Sequence, residues 1–187
     1  MSSPVLVGIS GASGATYGVE ALRMLRELEI PAHLIISELG LRNLKIETDL
    51  SLVDLKPMAD VIYSNKDLGA LVSSGSFRTR GMIIAPCSIK TLSGVAHSTS
   101  ANLLIRAADV ILKERRPLVL MVRETPLHKG HLELMVKAAD IGAIIHPPLP
   151  AFYTKPQSIN DIIRQSVGRA LDQLQINHEL IKRWNGG

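Results

Sequence analysis

Apolar residues along this chain gather into short unbroken runs, separated by longer stretches in which they recur every three or four positions. The runs are Pro4 to Ser10, Ala32 to Ser37, Gly81 to Cys87, Leu118 to Arg123 and Ala143 to His146, with a shorter one at Val61 to Tyr63. They are continuous rather than alternating, which predicts strands buried on both faces, as in a parallel sheet covered by helices. Between them lie helical patterns. The first follows Gly14, carries Val19, Leu22, Leu25 and Leu28 on one face, and is stopped by Pro31. One or two short helices are predicted within Leu39 to Ala59, and Ser88 is placed to cap another. Asn102 to Arg116, ended by Pro117, Leu127 to Ala139, and Asn160 to Leu174 complete the set, while Ser73 to Ser76 and the prolines at 147, 148 and 150 mark loops. The alternation predicts an α/β fold: a doubly wound, mostly parallel sheet in a flavodoxin/Rossmann-like three-layer sandwich, forming one domain over residues 1–187.

In such sheets ligands bind beyond the carboxyl ends of the strands. That rule selects Gly11 to Ser13, Ser37, Cys87 to Thr91 and Arg123 to Pro126. The first turn reads Gly8-Ile-Ser-Gly-Ala-Ser-Gly14. Its small residues let a ligand approach the backbone, the helix start offers N–H groups to a phosphate, and Ser10 and Ser13 add hydroxyls. The glycine spacing is neither that of a dinucleotide fingerprint nor that of a P-loop, so a tight turn and a ligand cradle stand level. Ser37 suits a ribityl or phosphate group, whereas Glu38 keeps a nicotinamide reading open. Ser88 and Thr91 are better ligand candidates than Cys87, which is expected to be a buried small hydrophobe rather than a nucleophile.

Composition narrows the classes. Hydrophobic residues make up 46% of the 187 and aromatics only 3%, so the core must be aliphatic. A single cysteine excludes an internal disulfide and fits a reducing compartment. The start lacks a basic segment before its apolar run, and no run is long enough to span a bilayer, so a soluble cytoplasmic protein is expected, with no membrane partner. The net charge of +4 favours phosphorylated small molecules. Nucleic acid is not expected, because there is no long Lys/Arg run and few aromatics to stack on bases.

The cations are concentrated in Arg106, Lys113, Arg115, Arg116 and Arg123. Arg106 and Lys113 are seven apart and share a helical face, an arrangement able to hold a phosphate. Arg123 and Glu124 directly follow a buried strand, where charges are costly unless they work or pair. Tyr153, on a proline-fixed loop, and Arg169, on the last helix, can join a phosphate site. His128 and His131 have helical spacing but no third ligand in register, so no metal is expected.

With these residues in view, the chain resembles the UbiX-type flavin prenyltransferases, within the wider superfamily of flavin-containing cysteine decarboxylases. The resemblance covers nearly the whole chain. Besides the glycine turn it rests on Ser74-Gly-Ser-Phe-Arg-Thr-Arg-Gly-Met82, Ala85-Pro-Cys-Ser-Ile-Lys-Thr-Leu92, Arg106-Ala-Ala-Asp-Val-Ile-Leu-Lys-Glu-Arg-Arg116, Arg123-Glu-Thr-Pro-Leu127 and Pro147-Pro-Leu-Pro-Ala-Phe-Tyr153. It implies an FMN site made by Gly11, Ala12, Ser13 and Ser37, with Ser88, Ile89, Lys90, Thr91 and Arg123. It implies a donor-phosphate site of Arg106, Lys113, Tyr153 and Arg169. Ser13, Glu47 and Glu124, with Lys113, stand as the groups at the chemistry. It also implies a homododecamer whose sites draw on several chains, dimethylallyl phosphate as prenyl donor, and a UbiD-type decarboxylase as recipient of the product. Two positions depart from many relatives, which carry Asp at Ala101 and Asn at Glu133. Neither is a candidate ligand, so the departure bears on subunit packing.

The residues suit the implied reaction. Arg106, Lys113 and Arg169 match the charge of a departing phosphate, to which Tyr153 can donate a hydrogen bond. An apolar surround keeps water from the allylic cation, and reduced FMN offers N5 and then C6 as the atoms to be alkylated. Ser13 with Glu124, and the released phosphate, are the candidate proton carriers. Two other readings remain at this point: an FMN-dependent cysteine-type decarboxylase, and a non-catalytic flavin-carrying subunit of an aromatic-acid decarboxylase complex.

Overall fold

The computed structural model describes residues 3–186. Among these, six strands form one sheet: β1 (Val5–Ile9), β2 (Ala32–Ile36), β3 (Val61–Ser64), β4 (Gly81–Cys87), β5 (Leu118–Val122) and β6 (Ala143–Ile145). The order is β3-β2-β1-β4-β5-β6, and every neighbouring pair is parallel. This is the doubly wound three-layer α/β arrangement the apolar runs predict.

Alternate strand residues feed two cores. Val5, Val7, Ile9, Ile83, Ala85, Val119 and Met121 face α1 (Ala15–Glu27) and α7 (Ile159–Gln173). Leu6, Met82, Ile84, Leu118, Leu120 and Val122 face α4 (Ile89–Ala96), α5 (Leu103–Lys113) and α6 (Lys129–Asp140). Burying each such aliphatic side chain contributes about 1.5–3 kcal/mol, which explains why β1, β4 and β5 hold no exposed position. The mixed stretch resolves into α2 (Glu38–Glu47) and α3 (Leu52–Leu55).

Helix ends differ from the sequence expectation for a local reason. The apolar pattern runs to Arg116, yet α5 stops at Lys113, and Arg115 turns left-handed at φ 56°. Arg116 N–H then reaches back to Ile111 C=O at 2.9 Å, closing a Schellman-type end ahead of Pro117. The same device ends α1, where Glu29 sits at φ 54° and Ile30 N–H bonds Leu25 C=O at 2.9 Å, before Pro31 is reached.

The sheet changes winding direction between β1 and β4. Past their last residues the chain ends are stitched by Ser10, whose hydroxyl donates to Pro86 C=O at 2.9 Å and accepts from Ser88 N–H at 2.8 Å. Ser10 is buried and spends its hydroxyl on this join, so it is not the ligand group its position suggested.

Candidate functional site

A cleft of about 740 Å³ opens at this switch point, within the range of cofactor sites. Gly11, Ser37, Ser88, Ile89, Lys90, Thr91 and Glu124 line it, so seven of the sequence candidates meet at one place. Two walls are helix starts. Ser37 caps α2 by accepting from Gly40 N–H at 3.0 Å. Ser88 caps α4 by accepting from Thr91 N–H at 3.3 Å and donates to the Thr91 hydroxyl at 3.1 Å. Gly11 admits no side chain, since a Cβ there would lie 2.5 Å from Cβ of Leu39.

The first helix start is not open to a phosphate as expected. Gly14 and Ala15 N–H both donate to Oε2 of Glu47, at 2.8 Å each, so a carboxylate from the end of α2 already fills that anion position. Gly14 takes φ 104°, the left-handed conformation that places its N–H on Glu47 and that only glycine adopts at little cost. Ser13 lies exposed on the same turn beside Ala12.

Arg123 extends β5 past its end, its N–H bonding Cys87 C=O at 3.0 Å. Its side chain is exposed, as is that of Glu124, so neither is the buried charge that the preceding strand suggested. The Arg123 charge reaches the Tyr17 phenol, whose pKa burial raises and Arg123 pulls back. Glu124 accepts from Thr125 N–H at 3.0 Å.

Cys87 is fully buried and burial pushes its thiol well above the ordinary range, so no thiolate nucleophile is available there. His128 accepts from Gly130 N–H at 3.0 Å as the cap of α6, and its ring lies 3.6 Å from that of His131. Among the described residues no group of three His, Cys, Asp or Glu side chains is arranged to hold a metal ion. Among them, too, no helix is long and apolar enough to cross a membrane.

Asn65, Lys66, Leu68 and Asn102 also line the cleft and were missed as ligand candidates. Asn65 holds the start of α5, its backbone and side-chain oxygens accepting from Leu103 and Leu104 N–H at 2.9 Å each. The strand-end rule applied to β3 would have found it. Lys66 pairs with Glu38 across the rim, and this hydrogen bond first, then its charge, holds the Glu38 carboxyl below its usual range. This pair is exposed at the rim.

The four donor-phosphate candidates do not meet within one chain. Arg106 lies in the first half of α5 and is paired with Asp109 at 2.8 Å. Lys113 lies at the far end of α5, paired with Glu114 at 2.7 Å, against Gly75. An 11-residue helix is about 15 Å long, so Lys113 stands roughly that far from the cleft edge where α5 begins. Tyr153 and Arg169 belong to the opposite face of the sheet, where α7 packs on α1. The Tyr153 hydroxyl accepts from Gln165 at 3.3 Å, and Arg169 donates to Asp172 at 2.6 Å. Arg106 and Lys113 thus share α5 on one side of the sheet, while Tyr153 and Arg169 stand on the other, so the four do not form one set beside the chain's own strand ends.

A doubly wound sheet with a cleft at its switch point suits an α/β flavoprotein, and the flavoprotein family model matches residues 1–171. The flavin prenyltransferase UbiX of Escherichia coli (strain K12) is 57% identical over 185 residues, covering 97% of this chain and 98% of the relative. The chain belongs to the UbiX flavin prenyltransferase family. The crystal structure of AnUbiX in complex with FMN and dimethylallyl pyrophosphate superposes with a TM-score of 0.97, at 44% identity, covering 100% of both chains. That of a dodecameric FMN-dependent UbiX-like decarboxylase from Escherichia coli O157:H7 gives 0.94 at 43% identity, covering 98% of this chain and 100% of the other.

Proposed function

We propose that this protein, a single flavin-binding domain over residues 1–187 working in the cytoplasm, joins the dimethylallyl group of dimethylallyl phosphate to reduced FMN. Bonds form at flavin N5 and C6, and the prenylated FMN passes to a UbiD-type decarboxylase. The observation that carries the reading is the switch-point cleft, where Gly11, Ser37 and Ser88 to Thr91 converge, which supports assigning the flavin to it. No metal is assigned a role. FMN suits these residues because the floor is backbone and the walls are hydroxyls and helix starts. Reduced FMN, when bound, supplies the electron-rich ring that the allylic carbon joins.

The chain's own groups do the rest. Gly11, Ala12 and Ser13 with Ser37 hold the flavin edge, and Arg123 with Ser88, Ile89, Lys90 and Thr91 closes on its polar atoms. Arg106, Lys113, Tyr153 and Arg169 take the donor phosphate and accept its charge as the C–O bond breaks with both electrons going to oxygen. The second bond, at C6, needs one proton delivered to the alkene of the prenyl unit and one lost from C6: Ser13 with Glu124 relays the first, and the released phosphate takes the second. Because Arg106 and Lys113 lie across the sheet from Tyr153 and Arg169, this set is completed by neighbouring chains, which supports a homododecamer such as the UbiX-like relative forms. A pyrophosphate is bound in the AnUbiX structure, so both donors belong in the assay.

The test is anaerobic incubation with reduced FMN and either donor, followed by mass spectrometry of the released flavin. A flavin heavier by one prenyl unit is expected. Unmodified FMN, with binding established and a known enzyme active alongside, sinks the proposal.

A further inference from the structure

Beyond α7 the chain folds back along it, and three polar side chains from helix and tail meet around Asp172. Oδ2 of Asp172 accepts from Nη1 of Arg169 at 2.6 Å and from Nη1 of Arg183 at 3.0 Å. Its Oδ1 accepts from Nη2 of Arg183 at 3.0 Å and lies 3.3 Å from Nε2 of His178. The His178 side chain is fully buried, its Nε2 also 3.1 Å from Gly168 C=O. Arg183 donates further to His178 C=O at 2.8 Å, so tail and carboxylate brace each other.

The two arginines are held differently. Arg183 grips Asp172 with both ends of its fork, which fixes the plane of the carboxylate. Arg169 gives it one nitrogen and stays 49% exposed, leaving the rest of its five donors facing outward. Burial alone would raise the Asp172 carboxyl, but Arg183, His178 and Arg169 together hold it below its usual range and keep it ionised.

We propose that Asp172 is the positioning residue for Arg169, presenting its guanidinium ready-ordered to the donor phosphate, with Arg183 and His178 fixing Asp172 in turn. This rests on Arg169 being a donor-phosphate ligand. A long cationic side chain that is free in solution loses its rotamer freedom when it binds, a loss worth about tenfold in affinity when it has been met beforehand. Charge alone predicts the opposite sign. Removing a carboxylate makes the surroundings more positive and tightens an anion, so the direction of the effect separates positioning from electrostatics.

The experiment compares wild type, Asp172→Asn, Arg169→Ala, the double variant and Arg183→Gln, reading the KM for dimethylallyl phosphate beside the Kd for FMN. Expected is a donor KM about tenfold higher in Asp172→Asn, an unchanged FMN Kd, and no further rise when the substitution is added to Arg169→Ala. Arg183→Gln leaves the carboxylate charged but free to turn, and raises the donor KM about threefold; it reads the same network if Asp172→Asn does not fold. A donor KM that stays within twofold or falls in both variants overturns the proposal, as does a rise of equal size in the Arg169→Ala background. Wild-type protein that makes no prenylated flavin overturns the prenyltransferase reading instead, so the two failures are distinct.

Discussion

Glu47 and Gly14 are 33 residues apart in sequence and 2.8 Å apart in space, carboxylate oxygen to backbone nitrogen. With the second bond to Ala15 this makes Glu47 the N-terminal anchor of α1 and ties the end of α2 to the glycine turn beneath the cleft. Glu47 was assigned to the chemistry by resemblance, and its structural position adds a duty of holding the turn.

Glu47→Gln keeps the shape but loses the charge that complements the helix start. The turn loosens, and FMN affinity is expected to fall about fivefold to tenfold, measured by quenching of flavin fluorescence. An unchanged FMN Kd with a lowered turnover would assign Glu47 to the reaction alone.

Lys113→Ala is expected to raise the KM for dimethylallyl phosphate at least tenfold while FMN binds as before, because Lys113 lies away from its own chain's cleft. Steady-state kinetics with each substrate varied in turn checks this. An unaltered donor KM removes Lys113 from the phosphate site.

Gly18 faces the sheet so closely that a Cβ would lie 2.4 Å from Ala85 C=O and 2.5 Å from Ile9. Gly18→Ala must push α1 away from β4, and the expected cost is about 1–3 kcal/mol, visible as a lower urea midpoint. A midpoint equal to wild type would mean that the helix shifts freely.

Cys87 is buried with its thiol driven upward by burial. The folded protein is expected to leave thiol reagents unreacted until denaturant is added, and Cys87→Ala to retain prenyl transfer. Rapid labelling of the native protein would contradict the burial.

Stability is expected to fall on the acid side in two stages. Burial lowers the pKa values of His33 and His146, so both are neutral in the folded state and protonate more readily once unfolded. Their contribution is full above about pH 6.5 and is lost as pH falls toward their folded values. Asp172 has a folded pKa below its unfolded one despite burial, so its contribution is lost below about pH 4. Denaturant midpoints against pH should show both, and Asp172→Asn should reduce the lower stage.

The strands, their two-sided burial and the cleft residues at Ser37 and Ser88 to Thr91 were legible because each depends on residues close in sequence. Glu47 on the α1 start was not, since the pairing joins two helices that only the folded chain brings together. Asn65 was overlooked because β3 is short and half exposed, which weakens its pattern. The division of Arg106 and Lys113 from Tyr153 and Arg169 could not be read either. Helical spacing gives the apolar face of a helix, but not the side of the sheet on which that face is laid.

That division has a genetic consequence. If the sheet separates the two halves of the phosphate site, each subunit lends one half to a neighbour and borrows the other. Lys113→Ala and Arg169→Ala chains, each impaired in donor binding alone, would then restore about a quarter of the sites to full donor affinity when coassembled at random. A damaged chain harms sites that belong to intact ones, so a faulty copy acts dominantly, and two faulty copies with different lesions can rescue each other.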